Sequence, residues 1–315
     1  MEKRTVIITG GNSGLGYQCA KNITMNNKDY TVIIACRNLE KASVAKKSLQ
    51  QETGNSNIFT LDLDLSSLES IRKFYYIFCN EKYPPLYALV CNAGLTPKGI
   101  EYTQDGFEKA FGVNHLGHYL LANLMLGQMV DNGRIAFVSS GTHNPPKFFP
   151  YDTPFFTNAK QLAYPEVNAD LKQIPSTLRY ATTKLCNILC AYEMASRIKT
   201  ETNKNITVNA FNPGIMTDTN LSSFSNPALL SVVTTLMNLF AKVIGRQSDS
   251  KKSGKILADL ITGNQYERST GKYYDRGEEV KSSGPSYDKT AAKSLWIESA
   301  ELVRLKQSES ILSVT

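Results

Sequence analysis

A tyrosine and a lysine four residues apart are the pair in this sequence best suited to acid–base chemistry. Tyr180 and Lys184 enclose the stretch Tyr-Ala-Thr-Thr-Lys, which begins a predicted helix over 179–199, so both side chains fall on one helix face. An isolated phenol has a pKa of about 10, and a neighbouring ammonium favours the phenolate and lowers that pKa. The pair predicts a proton-transfer group, although this spacing alone also arises often by chance.

A glycine-rich turn near the N-terminus has the composition of a pyrophosphate site. Residues 9–16 directly follow the first predicted strand and open the first helix. The glycines permit a tight turn and a close approach of the backbone, while the helix N-terminus supplies free N–H groups and a positive dipole end. The strand–turn–helix context favours a dinucleotide site over a purely structural turn. The expected cofactor contacts are Gly10, Asn12, Ser13, Gly14, Leu15 and Gly16.

The residues after the second predicted strand favour NADP(H) over NAD(H). An acidic residue at this place would hold a ribose 2′-hydroxyl and repel a 2′-phosphate. This sequence instead has Arg37 and Asn38, with Lys41 one helical turn further on. The planar guanidinium of Arg37 suits a phosphate, and the alternative interpretation is a solvated charge at the strand end.

Further cofactor contacts are expected after the third and fourth strands. Asp64, followed by Leu65, lies at the end of the third strand, where an adenine amino group would come, and Asp62 is the competing candidate. After the fourth strand, small residues let the cofactor pass and an asparagine can tie adjacent strand ends together. These residues are Asn92, Ala93 and Gly94.

The order of the predicted elements places all these groups on one sheet. Six short apolar strands alternate with helices, at 5–9, 31–36, 58–63, 88–91, 133–139 and 206–211. Strands that are apolar on both faces are typical of a parallel sheet covered by helices on both sides, and right-handed crossovers make such a sheet doubly wound. We therefore predict an α/β fold, a Rossmann-like doubly wound parallel sheet in a single domain over 1–315, with a long helix over 106–129.

Two segments, 142–178 and 215–245, interrupt this alternation. Loops of this length inside a compact domain are usually functional, and both follow the C-terminal ends of strands, where ligands of such sheets bind. We expect them to form a lid over a bulky apolar substrate. The alternative is that they pack against a subunit partner or a membrane surface. Aromatic residues crowd the first segment, namely Phe148, Phe149, Tyr151, Phe155 and Phe156.

Composition excludes several other classes of protein. The 35 basic residues exceed the 28 acidic ones by 7 and are spread along the chain, whereas a nucleic-acid-binding protein concentrates them on one stripe. Six cysteines without a CxxC pair and without a preceding secretory leader predict reduced thiols in a cytoplasmic protein. The three histidines form no metal-ligand pattern, and no uncharged apolar run reaches the ~18 residues that a membrane-spanning helix needs.

Taken in order, the motifs resemble those of the short-chain dehydrogenase/reductase family over about residues 4–220. Besides the turn at 9–16, Asp64, the stretch 92–94 and the Tyr180/Lys184 pair, the matches are Asn114, Ser139-Ser140 and Asn212-Pro213-Gly214. The resemblance implies an oxidoreductase that moves a hydride to or from a carbonyl or alcohol carbon with NADP(H). It also implies nicotinamide contacts from Pro213, Gly214, Ile215 and Thr219, although Asp218 stands where the family usually has a threonine.

The resemblance also implies a role for each member of a tetrad. Tyr180 would be the general acid or base, Ser140 would hydrogen-bond the substrate oxygen, Lys184 would hold the nicotinamide ribose, and Asn114 would support a proton-relay water. Ser139 is the alternative to Ser140. His143, three residues after the serine pair, is expected to be a structural residue.

The long insertion before Tyr180 and the sequence Val-Asn-His-Leu-Gly-His at 113–118 are similar to the branch of retinol dehydrogenases and light-dependent protochlorophyllide reductases. The expected partner is a small apolar carbonyl or alcohol, and both a homo-oligomer and a peripheral membrane contact are compatible with the sequence. Two other functions stay open: a light-driven tetrapyrrole reductase, and a regulatory protein that senses NADP(H) without turnover.

Overall fold

An eight-stranded sheet runs through the centre of the protein. The structure, a computed structural model, describes residues 2–145, 153–154, 156–167, 173–216 and 247–315. The strand order is β10-β9-β6-β5-β4-β1-β2-β3, and every neighbouring pair is parallel except β9 with β10. The strands are β1 Arg4–Thr9, β2 Tyr30–Cys36, β3 Ile58–Asp62, β4 Leu86–Cys91, β5 Met129–Val138, β6 Thr207–Asn212, β9 Tyr273–Asp275 and β10 Glu278–Glu279. Two short strands, β7 Ile215–Met216 and β8 Gln247–Ser248, pair separately.

Helices cover both faces of the sheet. They are α1 Gly14–Asn26, α2 Leu39–Thr53, α3 Leu68–Asn80, α4, α5 Ala159–Ala163, α6 Ser176–Glu201, α7 Ser250–Thr262 and α8 Lys289–Leu302. Helix α4 has three consecutive parts: Lys109–Phe111, a π turn at Gly112–Leu116, and Gly117–Leu126.

Alternation along the central strands produces two separate apolar cores. On β1, Ile7 belongs to the core that also contains residues of α3, α4, α6 and α8, whereas Val6 and Ile8 belong to the core that contains residues of α1, α2 and α7. All three side chains are fully buried. The predicted doubly wound parallel sheet is therefore confirmed, and its C-terminal strand edge collects the predicted site residues.

The predicted helix over 106–129 is too long at both ends. The carboxylate of Glu108 accepts a hydrogen bond from the main-chain N–H of Phe111 and so caps α4, and Gly106 precedes it with a φ of +83°. At the other end, Met129 already begins β5. The predicted fifth strand, at 133–139, therefore starts too late. The polar residues Asp131–Gly133, with Asn132 at a φ of +60°, lie within β5 and not before it.

Part of the insertion at 142–178 belongs to the core. Ala159 and Ala163 in α5 are fully buried. The main-chain N–H of Ala159 donates to Glu298 of α8, and the carbonyl of Ala163 accepts from the main-chain N–H of Glu108. This part cannot move as a lid without breaking these bonds. Of the predicted lid, residues 146–152, 155, 168–172 and 217–245 lie outside the described residues, and these include Phe148, Phe149, Tyr151 and Phe155.

The C-terminal segment is held to the same fold. Trp296 is 1% exposed; its indole N–H donates to the carbonyl of Ser313, and the guanidinium of Arg197 lies 5.1 Å from the centroid of its ring. The six cysteines are free thiols, and Cys186 and Cys190 are buried. Within the described residues, no His, Cys, Asp or Glu cluster could hold a metal and no helix has the length and apolarity to cross a bilayer.

Candidate active site

The glycine-rich turn between β1 and α1 is shaped so that side chains are excluded from it. Gly10 and Gly14 have left-handed backbones, with φ of +65° and +53°. A Cβ on Gly16 would lie 2.6 Å from Asn92 Nδ2 and 2.7 Å from the carbonyl oxygen of Gly10. Ser13 precedes α1 in an extended conformation and its own side chain does not cap the helix. The N-terminal N–H groups of α1 are therefore suited to an anion such as a pyrophosphate.

The ends of β1 and β4 are bonded together beside this turn. The side-chain amide of Asn92 donates to the carbonyl of Thr9 at 2.8 Å, and the main-chain N–H groups of Asn92 and Ala93 both donate to Thr9 Oγ1 at 2.9 Å. Asn92 thus ties adjacent strand ends, as the sequence predicts. The participation of the Thr9 hydroxyl was not predicted.

The residues expected near the adenosine lie at the ends of β2 and β3. Arg37 is exposed directly after β2, and the Asn38 side chain accepts from the main-chain N–H of Lys41, which caps α2. Strand β3 ends at the exposed Asp62, one residue before its predicted end. Asp64 lies in the following loop, where its Oδ1 accepts from the N–H and hydroxyl groups of Ser66. Leu65 is buried next to it.

Of the two serines after β5, only Ser140 faces Tyr180. The Ser139 hydroxyl is buried and donates to the main-chain carbonyl of Lys184 at 2.8 Å, so its role is structural. The Ser140 side chain hydrogen-bonds the phenol of Tyr180. The two serines differ because successive side chains of an extended chain point to opposite sides.

Tyr180 and Lys184 lie on one face of α6. The Lys184 Nζ atom is 5.5 Å from the centroid of the Tyr180 ring, and it donates a hydrogen bond to the carbonyl of Val138 at 2.9 Å. Asn187 donates to the same carbonyl. The lysine is buried, and its ammonium is positioned by the end of β5 rather than by the phenol.

The pKa of the phenol shifts in the direction opposite to the one predicted. Burial raises the pKa of Tyr180 to about 12, and the hydrogen bond from Ser140 opposes this only in part. Burial also lowers the pKa of Lys184 to about 8. Desolvation disfavours both charged forms, and it outweighs the attraction on which the sequence-based expectation rested.

Asn114 lies in the π turn of α4 and faces the same space. Its side-chain amide bonds both main-chain groups of Leu95, at 2.9 Å each, and donates to the Thr183 hydroxyl at 3.2 Å. A Cβ on Gly94 would lie 3.4 Å from both Asn114 Oδ1 and Lys184 Nζ. The π turn was not predicted, although such turns are frequent at functional sites.

The stretch after β6 closes the far side of the site. The side chain of Asn212 accepts from the N–H groups of Gly141 and Gly214 and donates to Asp275. Pro213 follows, and Gly214 has a φ of +87°, a conformation that favours glycine. Ile215 enters β7. Thr219, predicted to contact the nicotinamide, and the neighbouring Asp218 lie outside the described residues.

His143 is a structural residue, as the sequence predicts. It is buried; its Nδ1 atom lies 2.7 Å from the Ser140 carbonyl oxygen, and the main-chain N–H of Ser283 donates to its Nε2. It thereby fixes the turn that carries Ser140 against the C-terminal segment. His115 is buried as well, and burial lowers its pKa to about 3.

Comparisons with known proteins agree with this arrangement. The model of the short chain dehydrogenase family matches residues 4–151. The chain is 32% identical to polyprenol dehydrogenase from Danio rerio, over 96% of this chain and 87% of that protein. It is 31% identical to retinol dehydrogenase 13 from Homo sapiens, over 96% and 85%. A crystal structure of a protein from Mycobacterium paratuberculosis superposes with a TM-score of 0.68 at 25% identity, covering 96% of this chain and 94% of that chain.

Proposed function

Because this chain belongs to the short-chain dehydrogenase/reductase family, we propose that it is an NADP(H)-dependent oxidoreductase acting on a carbonyl or alcohol carbon of a bulky apolar substrate. The observation that carries the proposal is the convergence of Ser140, Tyr180, Lys184 and Asn114 beside the glycine-rich turn. A dinucleotide-sensing protein without turnover would not need a half-buried tyrosine beside a buried lysine in this arrangement. The relatives named above carry dehydrogenase names, which supports the same assignment.

The family uses a nicotinamide cofactor, and the residues present fit one. Gly10 and Gly14 have the left-handed backbones of a tight turn, and Gly16 lets α1 pack closely against Asn92 and the Gly10 carbonyl; these are roles that glycines have in a pyrophosphate-binding turn. Gly94 would let the cofactor pass beside Lys184 and Asn114, with Asp64 and Leu65 toward the adenine and Pro213, Gly214, Ile215 and Thr219 toward the carboxamide. When bound, the nicotinamide supplies or accepts the hydride.

The chain's own residues would handle the proton. A pKa of about 12 keeps Tyr180 protonated at neutral pH, and this is the form that donates a proton to a developing alkoxide. Ser140 would donate a hydrogen bond to the same substrate oxygen and so orient it, without transferring its proton. In the oxidative direction the ionised form of Tyr180 would have to accept a proton from the alcohol. The raised pKa makes this phenolate a stronger base.

Substrate size would be set by the two long segments. We propose that residues 142–178 outside α5, together with 215–245, close over the nicotinamide end and present apolar side chains to the substrate. The core packing of α5 excludes Ala159–Ala163 from this role. An apolar pocket with a few polar anchors is the usual design of a small-molecule site.

The proposed function is tested by following NADPH oxidation with a panel of carbonyl compounds. The panel should contain a long-chain aldehyde, a retinoid aldehyde, a steroid ketone and a small aldehyde, each assayed in the dark and in the light. We expect turnover in the dark, with kcat/KM highest for the bulky apolar compounds. Turnover only under illumination would favour the tetrapyrrole reductase, and NADPH binding without any turnover would favour the sensing protein.

Replacing Arg37 with alanine should narrow the preference for NADPH over NADH. The guanidinium is exposed directly after β2, where it can bond a 2′-phosphate, and a hydrogen bond to a charged group contributes about 1.5–3 kcal/mol. The ratio of the two Kd values, measured by fluorescence titration, should therefore fall by roughly one to two decades. Lys47→Ala, which removes another exposed cation from α2, is the control and should leave the ratio unchanged. Equal affinities for both cofactors in the unaltered protein would contradict the assignment.

Affinity for NADPH should also fall at alkaline pH. Burial lowers the pKa of Lys184 to about 8, so the ammonium that would bond the nicotinamide ribose is lost as the pH rises through that value. Between pH 7 and 9 the Kd should rise by up to roughly tenfold, since one pKa unit corresponds to about 1.4 kcal/mol. The comparison is with Lys184→Met, whose weaker affinity should not change over this pH range. A pH-independent Kd in the unaltered protein would exclude this role of Lys184.

A further inference from the structure

His118 lies in α4, one turn after Asn114, and joins two parts of the candidate site. Its Nδ1 atom is 3.1 Å from the carbonyl oxygen of Asn114, and its Nε2 atom is 2.9 Å from Thr9 Oγ1. The side chain is fully buried. The imidazole therefore spans the distance between the π turn and the end of β1.

Donor and acceptor counts determine where the protons lie in this chain of hydrogen bonds. Burial lowers the pKa of His118 to about 4, and the charge of Lys184 acts in the same direction, so the ring is neutral at pH 7 and has one N–H group. The Asn114 carbonyl can only accept, which puts that proton on Nδ1. Nε2 is then an acceptor.

Thr9 completes the chain of bonds. Its Oγ1 already accepts from the main-chain N–H groups of Asn92 and Ala93, which leaves its single proton free to donate. The nearer of its two acceptors is His118 Nε2, at 2.9 Å, against 3.3 Å for the carbonyl of Val90. The bonds therefore run in one direction, from the end of β4 through Thr9 and His118 to the Asn114 carbonyl.

We propose that His118 is a positioning residue that holds the main-chain carbonyl of Asn114 and couples the π turn to the strand ends beside the glycine-rich turn. The proposal rests on the function proposed above. The Asn114 side chain in turn bonds Leu95 and Thr183, on either side of the space in front of Lys184. Without His118, the π turn would be free to shift Asn114, although every residue assigned to the cofactor or substrate would remain.

The test compares two substitutions of different hydrogen-bonding capacity. His118→Phe keeps a ring of similar size and removes both bonds. His118→Asn keeps a donor nitrogen at the place of Nδ1, within reach of the Asn114 carbonyl, and loses only the bond to Thr9. We expect kcat of His118→Phe to fall by roughly 100-fold, the effect of a small misplacement of reacting groups, while the Kd for NADPH changes by less than about twofold.

Rescue by asparagine separates positioning from a general loss of packing. His118→Asn leaves the larger cavity, so a merely structural role would make it the worse variant in thermal stability and in kcat. We expect it instead to have a kcat at least about tenfold above that of His118→Phe, both values normalised to the folded fraction. A His118→Phe enzyme with near-normal kcat, or an asparagine variant no faster than the phenylalanine one, would overturn the proposal.

A second measurement keeps the proposal testable if no carbonyl compound is turned over, in which case the proposed function itself fails. Amide hydrogen exchange of peptides covering α4 and residues 92–96 should be faster in His118→Phe than in the unaltered protein and close to normal in His118→Asn. Unchanged exchange in His118→Phe would refute the coupling. If His118→Phe does not fold, His118→Gln replaces it: its longer side chain reaches toward Thr9, and we expect exchange in α4 to be faster than in His118→Asn.

Discussion

Replacing Tyr180 with phenylalanine should lower kcat by roughly 10²–10⁴-fold, the range typical of a lost general acid, while the Kd for NADPH stays nearly unchanged. The substitution removes only the hydroxyl group that hydrogen-bonds Ser140. The ring remains next to Lys184, whose ammonium keeps its bond to the Val138 carbonyl. Initial rates at saturating NADPH and a fluorescence titration of the cofactor measure the two quantities separately.

The matched control is the same substitution further along α6. Tyr192 also has a hydroxyl in a hydrogen bond, 2.8 Å from the Ser282 hydroxyl, but it faces the C-terminal segment and not Ser140. We expect Tyr192→Phe to keep kcat within about twofold of the unaltered enzyme, as is usual for a substitution outside the reacting groups. If Tyr180→Phe retained more than about a tenth of the rate, a water or another group would have to donate the proton.

The fold could be predicted because most of its strands are recognisable from their own short runs of apolar residues. In β1 and β2, consecutive β-branched residues are buried on both faces, and only a sheet covered on both sides accommodates such a run. Strands β1 to β4 and β6 were predicted to within two residues for this reason, whereas β5 begins four residues before its predicted start. Strands β9 and β10 are short and contain tyrosines and glutamates; they exist because β6 provides an edge for pairing, and no local pattern reveals that.

The candidate site could be predicted in its residue types but not in its electrostatics. The spacing of Tyr180 and Lys184 and the glycines of the turn are visible in the sequence, because helix geometry and backbone sterics act over a few residues. The pKa shifts of Tyr180 and Lys184 depend on burial by distant segments. The bond between His118 and Thr9 joins residues 109 positions apart, and a histidine in an apolar helix gives no sign of such a partner.

Substituting alanine for Gly16 should impair both cofactor binding and stability, because the added Cβ has no space. It would lie 2.6 Å from Asn92 Nδ2, 2.7 Å from the carbonyl oxygen of Gly10 and 3.0 Å from the Cα atom of Gly11. The Asn92 amide cannot turn away freely because it donates to the carbonyl of Thr9. Overpacking of this kind costs about 1–3 kcal/mol. We expect the free energy of unfolding to fall by that amount.

The Cβ that Gly16→Ala adds would also displace the turn at 9–16, which we expect to bind the pyrophosphate. The Kd for NADPH should therefore rise by roughly 10- to 100-fold, since each 1.4 kcal/mol corresponds to about a tenfold change in Kd. Gly284→Ala provides the control, because a Cβ at that position meets no atom within 4 Å; its Kd and unfolding should match those of the unaltered protein. A Gly16→Ala protein that is destabilised but binds NADPH normally would mean that the turn is only a structural connection.

The Gly16→Ala substitution should cause equal losses of affinity for NADPH and NADH, because the pyrophosphate is common to both cofactors. The loss caused by Arg37→Ala should affect NADPH alone. The two variants together therefore distinguish the part of the site that binds any dinucleotide from the part that selects the 2′-phosphate.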